Sequence, residues 1–173
     1  MYRNTDSQTV LGKGVVSADN KINTGSTTTT GMCFGETTGK RSVKFLGVED
    51  FWGNLSQFID GVKISINGSI VVGTKNFNDN ATGYESSGST LQVADPGYLS
   101  DVIGTNMTGF MPAAIDGSAT TYFCDHVNGN ADTFIIAGGQ YDSSTKAGAF
   151  YTRMDSSSTA AGDGGVGVRL MYL

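Results

Sequence analysis

The sequence predicts an α+β domain: short antiparallel sheets around one main amphipathic helix, with an extended N-terminal arm. Three observations predict it. Val48, Phe51, Trp52, Leu55, Phe58, Ile59 and Val62 recur at three- and four-residue spacing, with Glu49, Asp50, Asn54, Gln57 and Asp60 opposite. Next, two alternating apolar runs flank Asn67-Gly68, a strong local hairpin signal. Finally, residues 1–31 hold few large apolar side chains and include the run Ser26-Thr27-Thr28-Thr29-Thr30.

That first stretch cannot bury enough area to offset the entropy of ordering itself. It reads as an arm or linker over 1–31, serving to attach a head to sister subunits or remaining a solvated tail. The domain proper runs over 32–173. Residues 32–35 and 42–47 read as short strands about the turn at 37–40 and lead into the helix. Glu49 and Asp50 suit a helix N-terminus, and Gly61 suits a left-handed cap after Asp60. Residues 62–66 and 69–73 form the hairpin. Residues 74–101, rich in Asn, Asp, Gly and Ser, read as a long loop or short irregular strands. Strands are expected again at 121–124, 133–137, 147–151 and 166–173.

Two late loops are built almost wholly of small polar residues, and they form the candidate binding face. They carry Gln140, Tyr141, Asp142, Ser143 and Ser144, then Asp155, Ser156, Ser157 and Asp163, with Arg153 between them. A flat amphipathic Tyr among adaptable Ser, Gly and Asp is a recognition palette.

The chemistry of the chain argues against an enzyme. Its single histidine, His126, sits in a polar turn as a structural or solvent-facing residue, so no nucleophile–base–acid set is apparent. None of the 16 acidic residues stands at a spacing that singles out a carboxylate pair. Clusters at Asn76, Asn78, Asp79 and Asn80, and at Asp125, Asn128, Asn130 and Asp132, have oxygen donors for calcium. They lack the spacing of a known calcium loop, and Asx turns are their default. No metal and no cofactor are expected. Cys33 and Cys124 read either as two buried free thiols or as a disulfide.

Composition sets the class of surface. The 173 residues suit one domain with a real core. Glycine, 25 residues, is about twice its usual share, and the 16% of charged residues falls below the typical value of about 25%. Such a polar, weakly charged surface suits the outside of a cell or particle. The net charge of -5 leaves no basic stripe, so nucleic acid is not an expected partner. No apolar run approaches the roughly 20 residues needed to span a bilayer, and the N-terminus lacks the pattern of a signal peptide, so membrane insertion is not expected.

The run Glu49-x-Phe51-Trp52-Gly53-Asn54-Leu55, continued by Phe58 and Asp60-Gly61, resembles the Gly-Asn-Val-Trp-Glu-Trp helix of formylglycine-generating-enzyme-like domains of C-type-lectin type. Residues 135–141, with Gly138-Gly139, resemble that family's Arg-Gly-Gly-Ser-Trp strand. Gly165-Val166-Gly167-Val168-Arg169-Leu170 resembles its closing Gly-Phe-Arg-Leu strand. The resemblance implies a C-type-lectin-like fold in which Trp52, Asn54, Gly138, Gly139 and Arg169 are structural. Trp52 would pack in the core and Asn54 would fix the backbone of a neighbouring loop. The family's copper-binding cysteine pair has no match here.

More closely, residues 35–173, including 117–125, look like C-terminal modules of bacteriophage tail and fibre proteins, some of them targets of diversity-generating retroelements. Adenine-directed mutation drives Asn codons toward Tyr, Asp, Ser, Thr, Ala and Gly, the set found in the two loops. Gln140 and Lys146 do not follow from such codons. The resemblance implies a non-enzymatic virion module, tail or fibre, that binds a host cell-surface protein or glycan through its C-terminal loops. It would be made in the bacterial cytoplasm without a signal peptide and carried on the particle, with other virion proteins as neighbours. By likeness to fibres, a homotrimer joined through residues 1–31 is the expected assembly. The alternative is a structural virion protein, a capsid fibre or tail-tip scaffold, whose loops contact other subunits.

Overall fold

The computed structural model describes residues 11–16, 19–91, 96–105, 109–118, 126–149, 151–156 and 164–167. The expected α+β class is corrected: among the described residues there is no α-helix, and the architecture is β. The strands are β1 (Lys44–Phe45), β2 (Val48–Glu49), β3 (Ser56–Ile64), β4 (Ser69–Val72), β5 (Glu85–Thr90), β6 (Gly97–Tyr98), β7 (Asp101–Thr105), β8 (Gly109–Ala114), β9 (His126–Gly129), β10 (Thr133–Ala137), β11 (Thr152–Ser156) and β12 (Val166–Gly167). Among the described residues one 3₁₀ turn covers Ser144–Lys146.

The stretch expected as the helix is instead β2, a tight loop and the start of β3. Asp50, Gly53 and Asn54 have φ of 52°, 74° and 63°, left-handed values that no α-helix accommodates. Their amides are also bonded far along the chain. Asp50 N donates to Val43 O (2.7 Å), Gly53 N to Gly138 O (3.0 Å) and Asn54 N to Val15 O (2.7 Å). Phe51 and Ile59, assigned to the apolar helix face, are 41% and 38% exposed. With the helix goes the C-type-lectin-like layout around it.

The chain divides into two compact units. The first takes residues up to Phe58, Ala137–Tyr151 and the chain from Asp163 onward. Its buried side chains include Val15, Val16, Val43, Trp52, Ala147 and Tyr151. The described part of the segment expected as an arm belongs here. Val16 N donates to Gly39 O (2.9 Å) and Val16 O accepts from Ser144 N (3.1 Å). At the crossing of residues 11–12 over 35–36, a β-carbon on Gly12 would lie 2.0 Å from Glu36 O, so only glycine permits the approach.

The strands at 32–35 and 42–47 shrink to a Phe34–Lys44 bridge and β1, which turns through Leu46-Gly47 into β2. Both turn residues have positive φ, as a two-residue hairpin of matching twist requires. β12 pairs in parallel with the first residues of β3, Val166 opposite Ser56.

Glu49 ties the Thr-rich segment into the same unit. Its carboxylate accepts from Gly25 N (2.9 Å), Ser26 Oγ (3.0 Å) and Thr27 N (3.2 Å). Burial pushes the Glu49 carboxyl up, but these hydrogen bonds outweigh it and hold the group below its ordinary value of 4.5. A depressed folded-state value stabilises the fold above pH 4.5, and that stabilisation is lost as pH falls through the folded value. Urea midpoints measured between pH 7 and pH 3 are therefore expected to fall at the acid end. Glu49→Gln is expected to lower the midpoint at pH 7 and to shrink the difference between wild type and variant at pH 3.

The second unit takes Ile59–Ile136 and Thr152–Gly162. Strands neighbour one another in the order β5-β4-β3-β10-β11-β9-β6, with β7 and β8 as a separate antiparallel pair. The expected hairpin forms as β3 and β4, with Val62 opposite Val72 and Ile64 opposite Ile70. Its turn runs through Ile66, Asn67 and Gly68: Gly68 N donates to Ser65 O (2.9 Å), and Gly68 alone takes positive φ, 83°. That geometry is a three-residue loop with a glycine bulge. Ile64, Ile70, Leu91, Leu99, Val127, Ile135 and Met154 make the core. Inside this frame the ammonium of buried Lys63 pairs with Asp132 at 2.7 Å and donates to Asp79 O at 3.0 Å.

The strand expected at 133–137 is present as β10. That expected at 147–151 is not, since Ala147, Gly148, Ala149 and Tyr151 lie outside any strand. The strand expected at 121–124, and the part of 166–173 beyond Gly167, lie outside the described residues. The hairpin β7–β8 falls where no strand was expected.

Candidate ligand-display site

Gly138 and Gly139 lead out of β10 with φ of 89° and 78°. Gly138 is gripped from both sides: its N donates to Tyr151 O (3.0 Å) and its O accepts from Gly53 N. A β-carbon on Gly139 would lie 2.7 Å from Ala147 Cβ, so this position also demands glycine.

The chain then enters a closed turn over Gln140–Ser143. Ser143 N donates to Gln140 O (2.9 Å), Gln140 N donates to Ser143 Oγ (2.9 Å), and Gln140 Nε2 donates to Asp142 Oδ1 (2.8 Å). Two main-chain bonds anchor this turn to the body of the unit: Tyr141 N to Asn54 O (3.0 Å) and Ser144 N to Val16 O (3.1 Å). Tyr141 is half-buried, while Asp142, Ser144, Thr145 and Lys146 are exposed. The backbone is thus held and the side chains are offered outward.

Asn54 is the residue behind this arrangement. Its Oδ1 accepts from Ile22 N (2.9 Å), and its Nδ2 donates to Ile22 O (2.9 Å) and to Asp50 Oδ2 (2.9 Å). Trp52 is 2% exposed and donates from Nε1 to Gly12 O (3.1 Å).

Of the other residues expected at the binding face, Arg153 is half-buried on β11 opposite Asn128. Asp155 and Ser156 end that strand, within the second unit. Gln140–Ser144 belong to the first unit. Ser157, Asp163 and the structural Arg169 lie outside the described residues.

His126 is corrected from a polar turn to strand β9, where it is buried and meets Tyr98 edge to face with ring centroids 5.1 Å apart. Cys33 is exposed and free, neither a buried thiol nor half of a bridge, and Cys124 lies outside the described residues. Asn78 folds its own loop into an Asx turn, with Thr82 N donating to its Oδ1 (2.8 Å). Asp132 is committed to Lys63. Among the described residues no three His, Cys, Asp or Glu side chains gather as a metal site would need. The second unit also holds an apolar groove of about 350 Å³ lined by Ile59, Val62, Met111, Pro112, Ile135 and Met154, with Thr152 as its one hydroxyl. It can take a small apolar group, but it offers no acid or base.

Comparison of the chain with protein-family models, with curated proteins and with solved structures finds no match.

Proposed function

We propose that this chain is a non-enzymatic recognition module of a phage virion that contacts a host surface protein or glycan through residues 140–146. The observation that carries the reading is the pinned backbone of that turn, with Asp142, Ser144 and Thr145 exposed beside the half-buried Tyr141. A rigid frame supporting a small set of adaptable side chains lowers the ordering cost of binding. The weakly charged, Ser- and Thr-rich surface and the resemblance to tail and fibre modules support the same reading. Contacts of this size are weak singly and gain strength from several copies on one particle. The Tyr, Asp and Ser content of the turn also fits a retroelement target. A reverse transcriptase gene and a near-copy of the 3′ end beside this gene are the expected neighbourhood.

One observation favours the second reading, a structural virion protein. Met32, Leu46 and Phe51 are exposed apolar side chains in the first unit, and Met32 lies against Gly47, where a β-carbon would be 3.2 Å from its Cε. Such side chains suit contact with a sister subunit or another virion protein.

The two readings separate in particles carrying Tyr141→Ala with Asp142→Ala. Intact particles with adsorption reduced by about tenfold or more are expected, the size of effect that loss of one anchor side chain produces. Adsorption equal to wild type removes the receptor reading. Failure of the particles to assemble moves the turn to the scaffold reading.

A further inference from the structure

Gly61 of β3 and Gly73, the residue after β4, are bonded neighbours, Gly73 N donating to Gly61 O at 2.8 Å. Each is covered by an aromatic ring. A β-carbon on Gly61 would lie 2.8 Å from Phe77 Cε1, and one on Gly73 would lie 2.5 Å from Tyr84 Cε1. The glycines are therefore seats for the rings, a known device in sheets.

The loop that carries both rings, residues 74–84, is braced from inside. Asn78 Nδ2 donates to Asn76 O (2.9 Å) and Thr82 O (3.0 Å), Asn78 N donates to Tyr84 Oη (3.1 Å), and Lys63 Nζ grips Asp79 O. With Asn78 used up in this way, the outward surface is made by its neighbours. Phe77 remains 53% exposed despite its seat, and Asn76, Asp79, Asn80 and Thr82 of the same loop are exposed too.

An exposed ring on a short braced loop that also exposes amides, a carboxylate and a hydroxyl is a specific combination. The ring offers an apolar platform to a ligand with a C–H-rich face, and the polar side chains offer bonds to a ligand with a hydroxyl rim. Lys75 and Asp79 oppose each other in charge, and the chain carries -5 overall, which disfavours a polyanion. A neutral sugar has both faces in one molecule.

We propose that residues 74–84 form a carbohydrate-binding surface on which a neutral pyranose stacks against Phe77 and is held at its hydroxyls by Asn76, Asp79 and Asn80. This surface is built from residues of the second unit, whereas residues 140–146 belong to the first. Its bracing means that the loop does not have to be ordered by the ligand.

The test is titration of the purified chain with cellohexaose, maltohexaose and chitohexaose, read by saturation-transfer NMR and calorimetry. Millimolar or tighter binding to at least one of the three is expected. Phe77→Ala is expected to weaken it by about tenfold or more, the loss of one stacking platform, and Phe77→Trp to retain it. Asp79→Ala keeps the main-chain oxygen that Lys63 grips and serves as the variant with an undisturbed fold, with several-fold weaker binding expected. No binding of any of the three sugars by the wild-type chain, or binding by Phe77→Ala and Asp79→Ala equal to that of wild type, overturns the proposal. The result is independent of adsorption through residues 140–146, which reads a different surface.

Discussion

Replacing Trp52 by Ala is expected to destabilise the first unit by about 4 kcal/mol, the usual cost of deleting a fully buried aromatic side chain. At this chain length that corresponds to a fall in thermal midpoint of roughly 8–16 °C. Trp52 is the largest buried side chain of the unit, and its ring stands 5.8 Å from Phe45 and 5.9 Å from Phe51. Few neighbours can move in to fill the void, because the backbone there is fixed by the bonds to Val15, Val43 and Gly138. Trp52→Phe keeps most of the apolar contact and loses the bond to Gly12 O, so a cost of about 1–2 kcal/mol is expected. Circular dichroism melts of the two variants check the pair. A Trp52→Ala midpoint within a degree or two of wild type would show that the ring is not a packing element.

Trp52 also shows what was legible in the sequence and what was not. Its burial followed from its type and its apolar neighbours, a property that survives a wrong assignment of secondary structure. The element around it did not follow, because apolar residues at spacings of three and four are matched equally by a turn that feeds an alternating strand. The deciding information was non-local: the amides of Asp50, Gly53 and Asn54 find partners at residues 43, 138 and 15. One local signal was present. Gly53-Asn54 are two adjacent residues that tolerate the left-handed region, a turn signature in the middle of the supposed helix.

The β3–β4 hairpin was legible because its cause is local, alternation on both sides of a glycine turn. The packing of residues 11–16 was not, since Val15 and Val16 are a short apolar pair whose burial depends on main-chain bonds to Gly39, Asn54 and Ser144. The polar character of 140–146 could be read from residue types, whereas its anchoring to Asn54 and Val16 could not. The Phe77 surface was not legible for a related reason: the Asn and Asp residues of 76–80 are equally the residue types of an oxygen-ligand loop. The signal available was one aromatic inside that cluster, Phe77, and a second just after it, Tyr84, with two glycines, Gly61 and Gly73, free to seat them.

Asn54 allows the sharpest separation of backbone strain from side-chain bonding. At φ 63° it occupies a region that costs an ordinary L-residue roughly 1–2 kcal/mol, less for Asn, and nothing for Gly. Its buried amide makes three hydrogen bonds, two of them to the main chain of Ile22. Asn54→Gly removes the bonds without adding strain, and a loss of about 2–3 kcal/mol is expected for a network left partly unpaired. Asn54→Ala removes the same bonds and adds the strain, so it is expected to be worse than Asn54→Gly by about 1 kcal/mol. This order reverses the usual preference for Ala over Gly, because here the backbone conformation decides. Both variants are expected to loosen the turn at 140–146, since Tyr141 N depends on Asn54 O. Hydrogen exchange at Tyr141 N, compared with that at Gly138 N, reads this loosening directly. An Asn54→Ala variant more stable than Asn54→Gly would mean that the left-handed loop is not the conformation of this segment, and with it would go the anchoring of the display turn.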